Sequence, residues 1–397
     1  MGSERLFIRG LATISPLGAS SEEVDQMVSR PVCRAAERRG GRGSPVFPLT
    51  PVGEELVDSV SREVRFAKLD RVTCLALAAA RQTLLLEAGS NLPLGIVSIG
   101  SSRGATETLE RTILEAGASA ARVPTHTSPS TTAGNISSWV AQEYFSQRPV
   151  GDEPLVALNT SMTCSSAFHS LLVALSFVKS GMARAALFGG AEACLTPYTL
   201  AQLDALRIYS SYGADWPCRP GNSESVNSVV LGEGAGTAIL SAEPGPAAAR
   251  GLELLGVGWA LEETPSATGV SADGEVFEAA MRRAVASLPP GISVDCVVAH
   301  APGTVMGDRA ELSAIARVFG GVLTVSTKHL TGHTYGASGM VSMALAQSLL
   351  YGVVPGPMPY NCRLSNENAT SPSVVLINTA GFGGNCVSVI LGRAERV

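Results

Sequence analysis

The chain has 397 residues, and its 29 lysines and arginines against 34 aspartates and glutamates give a formal net charge of −5 at pH 7. This mild acidity argues against a nucleic-acid-binding protein, because such proteins present a basic face to the phosphates. With 45% hydrophobic and 16% charged residues, the chain can bury a large core, which excludes an intrinsically disordered protein. The length suits two or three average domains, or one α/β enzyme built from two fused halves.

The eight cysteines are too sparse for a disulfide scaffold, and no two of them form a C-x-x-C pair. Finger-type metal sites are therefore not expected. The first ten residues lack the charged and apolar segments of a signal peptide, and no run of apolar residues is long enough to span a membrane. The composition predicts a soluble protein of a reducing compartment, the cytoplasm, with no membrane span.

Short apolar strands alternate with longer helical stretches, an order typical of α/β proteins. Two stretches, 30–43 and 210–227, have weak periodicity or carry prolines, which predicts long functional or interface loops. The predicted regular elements, in chain order, are a strand over 95–100, a helix over 106–115, a strand over 155–158, a helix over 165–179 and a strand over 184–189.

The chain also matches itself in three places that occur in the same order in both halves. The strand and turn at 97–110 match 297–312, the run 158–181 matches 325–352, and ALFGGAEA (186–193) resembles LINTAGFGG (376–384). This repeat predicts two pseudo-duplicated βαβ halves, each with a buried parallel sheet, that span 1–243 and 244–397.

Cys164 lies in the turn between a predicted strand and a predicted apolar helix. A thiol at a helix N-terminus faces the positive end of the helix dipole, which is expected to lower its pKa and to favour the nucleophilic thiolate. Such a turn also exposes a reactive atom at the end of a sheet. The alternative interpretation of the local sequence is a small, buried core thiol.

His300 follows an apolar strand, at the sheet edge where ligands of α/β proteins bind, and His333 lies in a glycine-punctuated turn before a helix. The repeat places the His333 segment opposite the Cys164 segment, so a two-fold arrangement would bring the two together. The alternative for each histidine is a turn residue without a chemical role. No metal site is predicted, because Gly332 and the turn-like sequence around it oppose a shared helical face for His329 and His333.

Four motifs now make a family resemblance visible: TCSSAFHSL (163–171), AHAPGTVMGDRAEL (299–312), STKHLTGHTYGASG (326–339) and GFGGN (381–385). Together, in this order, they resemble the condensing enzymes of fatty-acid and polyketide synthesis, and most closely the β-ketoacyl-acyl-carrier-protein synthases of type I/II. The resemblance implies the α/β thiolase fold, with two duplicated halves in α-β-α-β-α layers. Thiolases use a second cysteine where this chain has Gly381, and the initiating synthase III type pairs one histidine with an asparagine.

The resemblance implies that Cys164 attacks an acyl thioester and holds the acyl chain covalently. His300 and His333 would stabilise the enolate left when a malonyl thioester loses carbon dioxide. Backbone N–H groups of Cys164 and Phe382 would form the oxyanion hole. Lys328 corresponds to the family's active-site lysine and Glu311 to its acidic partner, a pair expected to order the histidine loops. A solvated surface ion pair is the alternative for these two.

Substrate contacts also follow from the resemblance. Phe382 corresponds to an aromatic gate over the cysteine, and Thr304 and Thr268 are expected to contact the pantetheine arm. No cofactor is implied, since the substrates are carried on the phosphopantetheine of acyl carrier protein. The sequence departs from the family at Pro302, where a pantetheine-contacting hydroxyl is lost, and at 222–228, which replaces an acidic-Arg-Asp-Gly run. These departures favour a specialised type II polyketide or aryl-polyene-like pathway over housekeeping fatty-acid elongation.

The expected partners are acyl carrier protein and a second ketosynthase-like subunit, in either a homodimer or a heterodimer with a chain-length-factor-like homologue. The stretch 98–132, in the N-terminal half, is the predicted dimer surface. Two further functions remain open at this point: a chain-length-factor-like partner that does not condense, and a CoA-dependent thiolase-like acyltransferase. The former class typically lacks the nucleophilic cysteine, which favours the enzyme here.

Overall fold

A computed structural model of the chain describes residues 5–37, 44–117, 123–147, 154–213, 215–246, 250–264, 269, 271–364 and 370–394. Thr268 lies outside these residues. The strands are β1 (Phe7–Ile14), β2 (Ala36–Glu37), β3 (Pro45–Phe47), β4 (Leu94–Gly100), β5 (Val156–Thr160), β6 (Ala185–Glu192), β7 (Leu231–Gly232), β8 (Gly234–Ser241), β9 (Leu252–Leu261), β10 (Cys296–Val298), β11 (Leu323–Val325), β12 (Val374–Gly381) and β13 (Asn385–Arg393).

The helices cover the sheet on both faces. They are α1 (Ser21–Ser29), α2 (Pro51–Ser61), α3 (Arg71–Leu86), α4 (Thr106–Ala116), α5 (Thr127–Thr131), α6 (Asn135–Gln147), α7 (Ser166–Lys179), α8 (Pro197–Ala205), α9 (Glu275–Val285), α10 (Val305–Phe319), α11 (Lys328–Thr331) and α12 (Ser338–Leu350). No helix within the described ranges is both long and apolar enough to cross a membrane.

One ten-stranded sheet holds the molecule together, in the order β11-β10-β12-β13-β9-β1-β8-β6-β4-β5. Its two halves mirror each other about the antiparallel β1–β9 pair, in which Phe7 faces Glu253 and Ile8 faces Leu252. The strands matched by the sequence repeat, β4 with β10, β5 with β11 and β6 with β12, occupy equivalent places. The duplication inferred from the sequence is therefore visible in the strand order.

Helices α7 and α12 pack between the two halves of the sheet and form the central layer. Helix α12 contacts β8, β6 and β1 on one side and β12, β13 and β10 on the other. On the outer faces, α3 and α6 cover the N-terminal strands, whereas α9 covers the C-terminal strands and packs against α10. Because α12 is covered on both sides, all thirteen of its residues are buried. The layers alternate as α-β-α-β-α, which confirms the predicted fold.

The predicted elements agree with the structure within a few residues. Strand β4 is buried along its whole length, as a parallel strand covered on both faces requires. Strands β4, β5 and β6 are parallel, as are β10, β11 and β12. The carboxyl ends of β5, β10, β11 and β12 lead into the segments that carry Cys164, His300, Lys328 and Phe382. The fold therefore brings these four side chains close together.

Candidate active site

Cys164 lies in a tight turn between β5 and α7, with only 6% of its surface exposed. Thr163, immediately before it, has a φ of 48°, a left-handed conformation that is rare for a β-branched residue and marks backbone strain. The hydroxyl of Ser166 fixes the turn, because it donates to the carbonyl of Thr163 and accepts from the amide of Met162 at 2.9 Å. The turn therefore holds the thiol in one position at the end of the sheet.

His333 contacts the thiol directly. Its Nε2 atom lies 3.0 Å from the Sγ of Cys164, and its Nδ1 atom lies 3.2 Å from the hydroxyl oxygen of Ser338 at the start of α12. The backbone N–H of His333 donates to the carbonyl of Val230 at 2.7 Å, which anchors the histidine loop on the segment before β7. The imidazole is thus oriented between a hydroxyl and the thiol.

His300 completes the set, with its ring centroid 5.3 Å from that of His333 and the two rings nearly perpendicular. The carboxylate of Glu311, on α10, accepts hydrogen bonds from the backbone N–H groups of His300 and Ala301, both at 2.7 Å. Asn378 donates to the same carboxylate at 3.1 Å. Within the described residues, the buried Nδ1 of His300 has no hydrogen-bond partner. The hydrogen bonds of Glu311 therefore fix the loop that carries His300.

Lys328 and Glu311 are both buried, with 1% and 0% of their surface exposed, which rules out a solvated surface pair. No ion pair among the described residues joins the two side chains, and the Nζ of Lys328 is 3.3 Å from the hydroxyl of Thr327. The carboxylate of Glu311 instead accepts hydrogen bonds from the backbone of the loop that carries His300, and it orders that loop. It acts on Lys328 only through its negative charge.

Burial also reverses one expectation about the nucleophile. The pKa of the Cys164 thiol is raised to about 12, because burial disfavours the thiolate and the charge of Glu192 adds to this effect. The predicted lowering by the helix N-terminus is therefore wrong in direction. Burial, with the nearby charge of Lys328, lowers the pKa of His333 to about 3. The resting pair is a neutral thiol beside a neutral imidazole.

A cleft of about 290 Å³ opens above these residues. Cys164, His300 and His333 form its floor, and most of the wall is apolar, which suits an acyl chain and a flexible arm. Thr304 and Phe382 lie on the wall, and Pro302 lies beside Thr304. Further lining residues that the sequence did not single out are Leu203, Leu206, Ile208, Asn227, Val229, Phe277, Met306 and Tyr335. Met306 and Tyr335 belong to two of the four motifs, so these two could have been found from the sequence.

The loop after β12 is tied to the cysteine turn. The carbonyl of Phe382 accepts hydrogen bonds from the hydroxyl of Thr163 at 3.3 Å and from the amide of Asn385 at 3.1 Å. The hydroxyl of Ser165 in turn donates to the side-chain carbonyl of Asn385. Glycines with positive φ follow at 383 and 384, so the backbone can pivot next to the tied residue.

The described residues contain no group of three or more histidine, cysteine, aspartate or glutamate side chains arranged to hold a metal ion. His329 packs between Trp216 and Tyr360, with ring centroids 6.0 Å and 6.5 Å away, and does not join His333.

Comparisons with known proteins agree with this geometry. The β-ketoacyl synthase N-terminal domain matches residues 54–244, and the β-ketoacyl synthase C-terminal domain matches residues 253–361. Nodulation protein E of Rhizobium leguminosarum bv. trifolii is 30% identical over 75% of this chain and 74% of its own. The 3-oxoacyl-[acyl-carrier-protein] synthase 2 of Vibrio harveyi is 33% identical over 75% of each chain.

A solved structure shares the fold at lower sequence identity. The ishigamide ketosynthase/chain length factor superposes with a TM-score of 0.82, at 21% identity, over 99% of this chain and 100% of the other. The chain is thus similar to the first two proteins along its sequence and to the third in its fold.

Proposed function

The chain belongs to the β-ketoacyl synthase family of acyl-transferring condensing enzymes, and we propose that Cys164, His300 and His333 carry out a decarboxylative Claisen condensation of an acyl thioester with malonyl-acyl-carrier protein. The observation that supports this most directly is the contact of 3.0 Å between the Nε2 of His333 and the Sγ of Cys164, with His300 beside them in one cleft. The nucleophile and two potential hydrogen-bond donors therefore face a common space.

In the first step, the Sγ of Cys164 attacks the carbonyl carbon of the acyl thioester. Because its thiol pKa is about 12, the proton must leave as the S–C bond forms, and Nε2 of His333 is positioned to accept it. The tetrahedral intermediate then expels the carrier thiol, which takes that proton back from His333. The acyl group is left on the cysteine, and the imidazole is neutral again.

In the second step, a malonyl thioester enters the cleft and its C–C bond to the carboxylate breaks. Carbon dioxide leaves, and the electron pair passes into the thioester as an enolate. The enolate oxygen accepts hydrogen bonds from His300 and from the tautomer of His333 that carries its ring proton on Nε2 instead of Nδ1. The enolate carbon attacks the acyl carbon, the C–S bond to Cys164 breaks, and the released thiolate takes up a proton from solvent water. Burial lowers the pKa of both imidazoles, so both are neutral. They therefore stabilise the enolate by donating hydrogen bonds and not by carrying a positive charge.

The supporting residues follow from their contacts. Glu311 positions His300 through two backbone amides, and Lys328 supplies the positive charge that opposes the rise in the pKa of Cys164. We assign the oxyanion hole to the backbone N–H groups of Cys164 and Phe382, which line the same cleft. Thr304, at the entrance, is assigned to the pantetheine arm.

Two other functions fit less well. A non-condensing partner has no need of a cysteine, two histidines and a buried lysine around one cleft. A thiolase-like enzyme needs a cysteine at position 381, but a Cβ atom there would lie 1.9 Å from the Oγ1 of Thr163. The turn that holds Cys164 therefore leaves room only for glycine.

The second subunit is assigned to α4 and to the free edge of β5. Leu109, Ile113 and Leu114 on α4 and Leu158 on β5 are 40–82% exposed, and exposed apolar side chains of this size mark candidate interaction sites. Part of the predicted surface 98–132 lies here, but residues 118–122 are outside those described. We infer a partner of the same fold, either a second copy or a chain-length-factor-like chain.

The proposed reaction is tested by incubating the protein with hexanoyl- and malonyl-loaded carrier and measuring the carrier products by mass spectrometry. A β-ketooctanoyl carrier that forms with wild type and not with Cys164→Ala supports the proposal. Formation of that product by Cys164→Ala, or no product and no acyl-enzyme from wild type, would contradict it.

A further inference from the structure

Tyr335 lines the cleft, and its hydroxyl has no part in the condensation steps proposed above. Its side chain borders the same space as Cys164 and is only 8% exposed. Its ring centroid lies 5.2 Å from that of His333, whose Nε2 contacts the thiol. Within the described residues the hydroxyl makes no hydrogen bond, although a buried tyrosine hydroxyl ordinarily has a partner. A hydrogen-bond donor near the nucleophile therefore lacks an acceptor.

This hydroxyl is not sealed in the core. The described polar side-chain atoms that are fully buried without a partner do not include it, so it keeps contact with open space. The opening that Tyr335 borders is the cleft. Burial raises the pKa of the phenol, so at neutral pH the hydroxyl keeps its proton and can donate. A ligand in the cleft can therefore accept a hydrogen bond from it.

The turn before α12 fixes the position of Tyr335. Its φ is 42°, a left-handed conformation that is rare for an aromatic residue and costs energy. The next N–H group, that of Gly336, donates to the carboxylate of Glu192 at 3.0 Å. A Cβ atom at position 336 would lie 2.7 Å from the backbone nitrogen of Ser102, so the turn is closely packed. The surrounding backbone therefore keeps the ring of Tyr335 at the cleft.

The other polar side chains of the cleft already have a role or a partner. Three of them carry out the proposed reaction, and Thr304 is assigned to the pantetheine arm. The side chain of Asn227 is engaged at both ends, since its Oδ1 accepts from the N–H of Val305 at 2.9 Å and its Nδ2 donates to the carbonyl of Arg207 at 3.3 Å. Among the described lining residues, Tyr335 thus supplies the polar group that remains for the acyl chain.

Tyr335 also lies where an acyl chain on the cysteine is expected to extend. It packs in one apolar cluster with Cys164, Leu203 and Val229, and both of these apolar residues line the cleft as well. Thr304, at the entrance, is not part of this cluster. Apolar surroundings strengthen a hydrogen bond that is made and raise the cost of one that is missing. The hydroxyl therefore distinguishes acyl chains by whether they carry an acceptor.

We propose that the hydroxyl of Tyr335 donates a hydrogen bond to a ketone oxygen on the acyl chain carried by Cys164, so that the enzyme selects oxo-acyl chains over plain alkyl chains of the same length. This assignment rests on the proposed ketosynthase function. A plain alkyl chain would leave the hydroxyl unpaired in the cleft, which is costly. A neutral ketone is favoured over a carboxylate, because no lysine or arginine is among the described residues that line the cleft.

The test measures the second-order rate of acylation of Cys164 by intact mass, with 3-oxohexanoyl, 5-oxohexanoyl and hexanoyl thioesters of pantetheine. Each rate is divided by the rate of the same thioester with glutathione, which corrects for intrinsic reactivity. Wild type is expected to prefer at least one oxo thioester over hexanoyl. Tyr335→Phe keeps the ring and removes only the hydroxyl, so it should lower that preference by roughly 3- to 10-fold, as for one neutral hydrogen bond. The control Tyr198→Phe, at a residue that is 56% exposed, should keep the wild-type preference.

Two results would overturn the role of Tyr335. The first is a wild type that is acylated by the hexanoyl thioester but prefers neither oxo thioester, an outcome that does not depend on how the variant folds. The second is a Tyr335→Phe variant with the melting temperature of wild type and the same preference, since water then satisfies the hydroxyl. If no thioester acylates wild type, the proposed function itself fails.

Discussion

The Nε2 atom of His333 lies 3.0 Å from the Sγ of Cys164, although the two residues are 169 positions apart in the chain. The contact joins the two halves of the duplicated fold, since one residue follows β5 and the other follows β11, which occupies the equivalent place. The thiol has a raised pKa and the imidazole a lowered one. The pair is therefore suited to passing a proton during attack, and not to holding a resting thiolate.

Replacing His300 by alanine should slow malonyl decarboxylation more than acylation of Cys164. His300 does not contact the thiol, whereas its loss removes a donor to the enolate oxygen, where charge appears only in the transition state. The expected cost in decarboxylation is on the order of 10²–10³ in rate. Release of carbon dioxide and acyl-enzyme formation are measured on the same preparations, with the exposed His126→Ala as control. Loss of acylation together with normal decarboxylation would show that His300 acts in acylation and not on the enolate.

Glu311→Gln should displace His300 without creating a cavity in the core. The amide keeps the size of the side chain but loses the charge that accepts two backbone hydrogen bonds, and one charged bond contributes about 1.5–3 kcal/mol. We expect a loss of this order in the free energy of unfolding, together with lower decarboxylation. Denaturant unfolding and carbon dioxide release measure the two effects, and the exposed Glu275→Gln is the control. An unchanged free energy of unfolding and an unchanged rate of decarboxylation would show that Glu311 does not position His300.

His329 should lower the free energy of unfolding at acid pH, because the unfolded chain binds a proton at this residue more readily than the folded chain does. Burial lowers its folded pKa from 6.5 to about 4, so between these values the unfolded chain takes up a proton that the folded chain does not. Stability from this residue is complete above pH 6.5 and is lost as the pH falls towards 4. The unfolding free energy of His329→Gln relative to wild type should therefore rise by about 1.4 kcal/mol per pH unit on acidification across this window. A difference that is constant with pH contradicts the burial argument.

Phe382→Ala should leave the fold intact but weaken discrimination between acyl and malonyl carriers. Phe382 lies on the cleft wall, and its backbone carbonyl is held by Thr163 and Asn385, so the truncation opens the cleft without releasing the loop. Competition between hexanoyl and malonyl carriers, with the melting temperature as a check on folding, measures the effect. Unchanged selectivity would show that the phenyl ring is no gate.

Leu158→Asp should disrupt a dimer formed through the free edge of β5. A charge on this exposed apolar surface would be buried without a partner in the complex. Analytical ultracentrifugation at micromolar concentration should show a dimer for wild type and for the control Val64→Asp, which is 96% exposed on a different segment. A monomeric wild type would contradict the proposed dimer. An intact Leu158→Asp dimer would show that the interface does not include the free edge of β5.

The sequence repeat was sufficient to place His333 opposite Cys164, because strands that match in order occupy matching places in the sheet. His300 was singled out by its position after an apolar strand. It did not reveal that β1 and β9 join the halves into one sheet, since their pairing covers only a few residues. The direction of the Cys164 pKa shift was predicted wrongly, because the thiol's burial depends on distant side chains such as Val229 and Tyr335.

The central claim is that Cys164 carries the acyl group, and it is tested most directly by intact-mass spectrometry followed by peptide mapping. The protein is incubated with hexanoyl-loaded carrier in the absence of malonyl carrier, so that the acyl-enzyme accumulates. We predict one hexanoyl group per chain, located on Cys164 and absent from Cys164→Ala. An adduct on any of the other seven cysteines, or the same adduct on Cys164→Ala, would contradict the account.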